Sequence, residues 1–577
     1  MCFNWHGSAR AEEVVNLGPL ALLAPLLERL DIAGSIDRHL PPDPQLEFSH
    51  GQVLSLLLAA RLSSPTALVN VATWAEKTGA DILWNLPADK LNDDRLGRAL
   101  DAFFDQRHSI QACVAERALR LAELAPQRLH FDPTHVLFHG AYETSQPRPP
   151  DLPLPPETPS ALFPPAHPTY GHGADDVKLV QVGVTAVIDD DGALPVFGHL
   201  LDGNHNGHTA IEQQFHLLQH YLPPPHDLLL VSDRGTFSAA HVARLHRHGC
   251  HVLCSVPWHD YRTLFDQHRD SLLWLPASYL SLEQKRRRHT NSTLPQEHYE
   301  LAVLRHQLTD PETQERIACR VLFVFSTADQ KVCRQTRAKT IAALQAGLEK
   351  IAAAVQRGHA RSTPQTIARR VTKLFGNKSA RHYFRWELLP LTAAEQAALP
   401  PPARGCRRAT HRFVFHFDAA AAEADAAHDG YSALVTTAPR TRSADTLFAH
   451  FKQQNYLELV HHQWKTPLAV RPVFLKSPTR VEALVCLLQL ALTAYQLLER
   501  LYRQRVPADA PVTEKRMTSE SLLRQFRVYG LICQHQPIGR VVYASRLTSR
   551  QRQILQQLGF QTPAQILAHK LPHHPSG

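Results

Sequence analysis

Three carboxylates stand where the pattern of the chain would let them do chemistry together. Asp132 lies in Leu129-His-Phe-Asp-Pro-Thr-His-Val-Leu-Phe-His, a short run that alternates apolar with polar residues and so reads as a strand. Asp233 ends Asp227-Leu-Leu-Leu-Val-Ser-Asp, an apolar run that reads as a buried strand. In open α/β sheets, reactive groups collect at the carboxyl ends of strands. These two strands can be neighbours although residues 133–232 separate them. Glu458 lies in Phe451-Lys-Gln-Gln-Asn-Tyr-Leu-Glu-Leu-Val-His-His-Gln-Trp-Lys465. On a helix, residues seven apart drift by only about 20°. Phe451, Glu458 and Lys465 therefore share a face, with Gln454 and His461 or His462 beside it.

Carboxylates gathered at one point repel one another, and hard cations such as Mg²⁺ between them relieve that repulsion. Two such ions about 4 Å apart can activate a water or a 3′-hydroxyl and stabilise the leaving oxygen of a phosphodiester. Each acid also has a plainer role. A strand-end Asp caps helices and organises turns, and Ser232-Asp-Arg-Gly235 is a turn signal. A Glu and a Lys on one helix face can simply be solvated.

The surrounding elements must bring the acids together. Residues 1–125 read as a helical N-terminal domain, in which Asn92 or Asp93 caps a helix running to Phe104 and Ser109–Leu124 forms another. A texture change at Arg128 opens an α/β layer over residues 126–260. It has strands at Lys178–Ile188, Leu194–Leu200, Asp227–Asp233 and from His251, with helices at Thr209–Tyr221 and Ser238–Arg247. That order predicts a mixed sheet with the fourth strand central. Ten prolines between Pro147 and Pro168 mark an extended surface loop. Residues 261–442 read as an inserted, largely β module that also holds an Ala-rich helix, Thr340–Val355. Residues 443–505 return to helix, and residues 506–577 form a helical tail.

In their order and spacing these pieces resemble the DDE transposases of bacterial insertion sequences, in the branch with a large β-rich insertion between the second Asp and the Glu. The resemblance covers about residues 14–530. It rests on Asp132, on Asp233 after Leu-Leu-Leu-Val-Ser, and on Glu458 with Lys465. Asn92-Asp-Asp-Arg95, Gly203-Asn204, Asp429-Gly-Tyr and Pro467-Leu-Ala-Val-Arg-Pro-Val-Phe-Leu extend it. The resemblance implies an α/β fold with an RNase H-like (retroviral-integrase-like) catalytic core, a β-rich insertion and an all-α N-terminal domain. It also implies two Mg²⁺ or Mn²⁺ ions held by Asp132, Asp233 and Glu458, with Asp132 touching both. The reaction would be DNA cleavage and strand transfer at element ends, with Lys465 and the Gln454 position on DNA. Terminal inverted repeats and target DNA are the implied partners, bound by a homodimer or higher oligomer. The chain departs from the branch's Tyr, Arg, Glu, Lys signature at Phe451 and Gln454, and Gln454 lacks a guanidinium that could grip an anion bidentately. The same residues leave two other readings open: an inactive DNA-binding relic, and an RNase H-like nuclease without strand joining.

Composition sets the frame. The 577 residues are 44% hydrophobic and 20% charged, a globular balance that excludes wholesale disorder. A net charge of +9 permits a polyanionic partner. Lys285, Arg286, Arg287 and Arg288 form a compact basic run. Residues 361–385 carry seven Lys or Arg, including Arg369, Arg370 and Lys373, with no Asp or Glu. Phe375, Tyr383, Phe384 and Trp386 are interleaved there, so both patches are expected to clamp DNA. Nine scattered Cys without a CxxC pair fit a reducing, cytoplasmic setting, and the chain would be nucleoid-associated. Val481–Leu498, interrupted by Glu482, Gln489 and Gln496, reads as a buried helix, so no membrane is expected. His246-Arg-His-Gly-Cys-His-Val-Leu-Cys254 mixes zinc-ligand types, but strand alternation turns both thiols into one face. No GxxxxGK[ST] or GxSxG motif occurs.

Overall fold

A computed structural model describes residues 12–138, 165–170, 178–204, 207–222, 227–281, 284, 298–357, 363–399, 401, 408–465, 475–536 and 539–570. The proline-rich stretch before residue 165, the basic run Lys285, Arg286, Arg287 and Arg288, and residues 466–474 lie outside them.

The N-terminal region is helical: α1 (Leu20–Arg29), α2 (Ile32–His39), α3 (His50–Ser63), α4 (Val71–Thr78), α5 (Ala80–Trp84) and α6 (Asp93–Leu121). The Asn92 side chain accepts the Arg95 N–H at 2.8 Å and caps α6, as the sequence suggests. The two helices expected on either side of residues 105–108 are one helix of 29 residues. In the polar stretch that reads as a break, Arg107 and His108 are buried, and Arg107 finds Glu482 at 2.7 Å inside the core.

Strand β1 (Glu12–Val15) precedes these helices. The large sheet is built from β2 (Arg128–Phe138), β3 (Thr169–Tyr170), β4 (Lys178–Asp189), β5 (Gly192–Asp202), β6 (Leu229–Ser232), β7 (His251–Val256), β8 (Leu275–Pro276), β9 (Tyr299–Thr309), β10 (Arg316–Ser326) and, after the hairpin β11 (Phe384–Pro390) and β12 (His411–Phe417), β13 (Tyr431–Thr436). Its order is β3-β4-β2-β6-β7-β13-β10-β9-β8, with β5 also on β4. The run β5-β4-β2 is antiparallel, whereas β2, β6 and β7 are parallel. Parallel neighbours need crossovers, and α7 (Gly207–Tyr221) and α8 (Ala239–Arg247) supply them. β6 lies in the sheet's interior, and all four of its residues are buried.

The expected insertion is not a separate β module. β13 pairs with β7, and β10, β9 and β8 follow, so these strands widen the core sheet, while β11 and β12 pair only with each other. What stands apart is mainly helical. After α9 (Trp258–His268) come the 30-residue α10 (Thr327–Gln356), α11 (Pro364–Phe375), α12 (Ala393–Ala398) and α13 (Ala419–Ala426). Leu344, Leu348, Ile351 and Val355 of α10 pack with Ile367 and Val371 of α11 and with Tyr383, Phe384 and Phe413 in a second apolar core. The aromatics expected to stack on DNA are thus taken up by this core: Tyr383 and Phe384 are buried, and Trp386 stacks on Phe413 at 5.7 Å.

The last core helices are α14 (Ala444–Lys452), α15 (Asn455–Lys465) and α16 (Pro478–Arg503). The continuous helix expected over 451–465 breaks at Gln453 and Gln454. Gln453 Nε2 donates to Asp190 Oδ1 at 2.8 Å, while the Gln454 amide turns into β2. α16 has the length and hydropathy of a membrane span, yet Val481–Tyr502 are all buried, against α6 and β5. The tail is not purely helical. β14 (Leu531–Gln536) and β15 (Gly539–Ala544) form a hairpin that pairs with β1, joining the two ends of the described chain.

Candidate functional site

The site begins with register. β2 and β6 run parallel with Phe131 opposite Ser232, so Asp132 and Asp233 are the next residues on strands about 4.8 Å apart. The Phe131 ring packs over β4 at Gly183, where a Cβ would lie 2.8 Å from it. The Asp132 side chain is 19% exposed and Asp233 is half-buried; Asp132 lies within β2, and Asp233 follows the last residue of β6. Asp233 also fills its plainer role. Its Oδ1 accepts the Gly235 N–H at 3.0 Å and caps the short turn Arg234–Thr236.

α15 lies beside this pair. Leu457, Val460, His461 and Trp464 are buried at the i, i+3, i+4, i+7 spacing of an apolar helix face. Gln454, just before the helix, pins it to β2: its Nε2 donates to the Phe131 carbonyl at 3.1 Å, and its Oε1 lies 2.7 Å from His130 Nδ1. Burial pushes the His130 imidazole down to about 3, so the ring is neutral and Nδ1–H donates to the amide oxygen. Gln454 is 8% exposed, so the DNA contact expected of it gives way to a contact inside the fold.

The residue that reaches the acids from α15 is His461, whose Nδ1 is 3.3 Å from Asp132 Oδ2. Its ring is buried, and its Nε2 has no hydrogen-bond partner among the described residues. Sequence placed His461 only beside the Glu458 face; its position three residues after Glu458 was the signal available. Glu458 itself is exposed. Lys465, the last residue of α15, is half-buried, and Phe451 is partly buried at the end of α14, in contact with the cluster around Leu229 and Val231. The structure thus brings Asp132 and Asp233 together and carries Glu458 on the adjacent helix. Among the described residues there is no group of three or more His, Cys, Asp or Glu disposed to hold a metal ion.

Electrostatics set Asp233 apart from an ordinary surface aspartate. Burial pushes the Asp233 carboxyl above the ordinary aspartate range, and the negative charge of Asp132 adds to the rise; the Gly235 N–H and Arg234 oppose it. A carboxyl whose folded-state pKa is raised keeps its proton longer in the folded chain than in the unfolded one. Stability therefore falls as pH rises from the unfolded to the folded value and stays lowered above it. Asp233→Asn keeps the acceptor for Gly235 and removes the charge. It is expected to raise the melting temperature at neutral pH and to leave it unchanged below the ordinary aspartate pKa. A variant that melts no higher than wild type at neutral pH would refute the repulsion.

The two basic patches expected to clamp DNA fare differently. Arg369, Arg370 and Lys373 are exposed on α11, on the side away from buried Ile367 and Val371. Lys285, Arg286, Arg287 and Arg288 fall outside the described residues. Cys250 and Cys254 are buried free thiols; burial pushes Cys250 up to about 12 and Cys254 higher still. Thiols held in that form are poor zinc ligands.

Residues 12–113 match a family model described as a domain of unknown function, DUF4277. Among curated proteins, none matches this sequence. A cryo-EM structure of a piggyBac transposase synaptic complex with hairpin DNA aligns over 95% of this chain and 87% of its own, at 7% identity and a TM-score of 0.30.

Proposed function

We propose that this chain is a DDE transposase, in which an RNase H-like core cuts and joins DNA at element ends with divalent cations. The observation that carries the reading is the pairing of Asp132 and Asp233 on adjacent parallel strands, beside the helix that bears Glu458. The module β5-β4-β2-β6-β7, three antiparallel strands followed by two parallel ones crossed by α7 and α8, supports the RNase H-like core. DUF4277 is a domain found in transposase-like proteins, and its match over the N-terminal helices points the same way.

Asp132 and Asp233 suit a Mg²⁺ or Mn²⁺ ion, because their carboxylates are adjacent and Asp233 resists ionising without a counter-charge. Glu458 would complete a second position from α15. Bound ions would polarise the scissile phosphate and activate the attacking oxygen. The chain's own residues do the rest. Gln454 fixes α15 on β2, His461 orients Asp132, and the exposed cations of α11 neutralise phosphates. Joining two element ends calls for a homodimer or larger assembly on DNA in the cytoplasm, at the nucleoid.

The test is DNA that carries the inverted repeats flanking the gene. Nicking at the repeat ends in Mg²⁺ or Mn²⁺ is expected, followed by strand transfer into a second duplex. Binding of the ends without cleavage under either ion would favour the non-catalytic reading, which the absence of a three-ligand cluster among the described residues supports. The α11 cations give a separate expectation. Each phosphate contact contributes about 0.9 to the slope of log K against log salt, so the triple variant Arg369→Ala, Arg370→Ala, Lys373→Ala should flatten that slope by about 2.7. Titration of duplex DNA across NaCl concentrations reads it, and an unchanged slope removes α11 from the interface.

A further inference from the structure

The N-terminal helices line a cavity of about 210 Å³ that no part of the proposed reaction uses. Arg61, near the C-terminus of α3, faces it. This arginine is 7% exposed, and its Nε has no hydrogen-bond partner among the described residues. No carboxylate among the described residues lies within ion-pair distance of it, and burial pushes its pKa down with no opposing charge. Two nearby arginines are paired: buried Arg107 has Glu482, and the partly exposed Arg480, on the wall of the same cavity, has Asp101 at 2.7 Å. Gly97 leaves room for that Arg480, whose Nη1 would lie 2.5 Å from a Cβ there. A buried guanidinium without a counter-ion is unfavourable unless something fills the space in front of it. The carbonyl end of α3 offers partial compensation only.

We propose that this cavity binds a small organic carboxylate with a short apolar chain, gripped by Arg61. The planar fork of a guanidinium matches a carboxylate bidentately. Leu68, Leu475 and Leu484 line the remainder, a surface suited to hydrocarbon. Asp93 and Asp94 also line it, and their charges disfavour dianions such as phosphate. At about 30 Å³ per water the space holds about seven waters, or a ligand of similar heavy-atom number. The inference is independent of the transposition chemistry, since it concerns α3 and α6 rather than the strand ends.

Calorimetric titration of the full chain with hexanoate, hexanol and orthophosphate tests it. Hexanoate should bind, and hexanol and phosphate should bind at least about tenfold more weakly. Arg61→Met keeps the side-chain length and removes the charge. It should weaken hexanoate at least about tenfold, leave hexanol unchanged, and melt no lower than wild type, because an uncompensated buried charge is gone. No hexanoate binding, equal binding of hexanoate and hexanol, or full hexanoate binding by Arg61→Met would each overturn the proposal.

Discussion

Asp132→Ala and Asp233→Ala should each lower metal-dependent nicking by about a thousandfold or more while leaving the fold intact. The magnitude follows from what a ligand to a catalytic ion supplies. A divalent cation contributes several kcal/mol of transition-state charge stabilisation, and about 4 kcal/mol is about a thousandfold in rate. Neither side chain is a keystone of the fold. Among the described residues the Asp132 side chain meets only His461, and Asp233→Ala loses the Gly235 cap, about 1 kcal/mol, while removing either charge relieves repulsion in the metal-free chain. Circular dichroism and melting of the variants separate loss of chemistry from loss of fold. Well-folded variants that nick at the wild-type rate would end the assignment of these residues. Asp233→Glu discriminates further, because it keeps the charge and displaces it by about one methylene; a displacement near 1 Å costs about a hundredfold where positioning matters.

The largest effect on stability should come from the pair Arg107–Glu482. Arg107 Nε donates to Glu482 Oε1 at 2.7 Å, with the two side chains 0% and 1% exposed. Arg107 also donates to the Phe104 carbonyl at 2.8 Å and lies over the Phe104 ring, 3.9 Å from its centroid. Glu482 Oε2 accepts the Ala166 N–H at 2.7 Å. One ion pair therefore ties α6, α16 and the segment that enters β3. Glu482→Gln leaves the guanidinium buried without its counter-charge, and such a break destabilises by about 3–5 kcal/mol. The double variant Arg107→Met, Glu482→Leu removes both charges and should recover most of that loss, since an apolar pair of similar volume is often as stable. Urea denaturation followed by tryptophan fluorescence measures both. A single variant within about 1 kcal/mol of wild type would show that the pair is not a keystone of the N-terminal packing.

Local pattern carried the reading a long way and failed where distant contacts decide. The strand at Arg128, the apolar run into Asp233 and the Asn92 cap follow from alternation, burial and capping, which depend on near neighbours in sequence. The single helix α6 could not be read, because Arg107 and His108 look like a surface break until Glu482, 375 residues away, accounts for the charge. The break before α15 has no Pro or Gly to announce it. It arises because Gln453 and Gln454 are drawn to different partners, Asp190 on one side and β2 on the other. The aromatics of residues 375–386 looked free to meet DNA, and a second apolar core claims them.

By itself the sequence determined which acids this protein has to offer and on which kinds of element they ride, since strand alternation and helical period are written in adjacent residues. Only the tertiary structure decided their company. Parallel register sets Asp132 against Asp233, and helix docking brings His461 to Asp132 while Gln454 is turned inward. Those choices depend on pairing across hundreds of residues, and no local period encodes that.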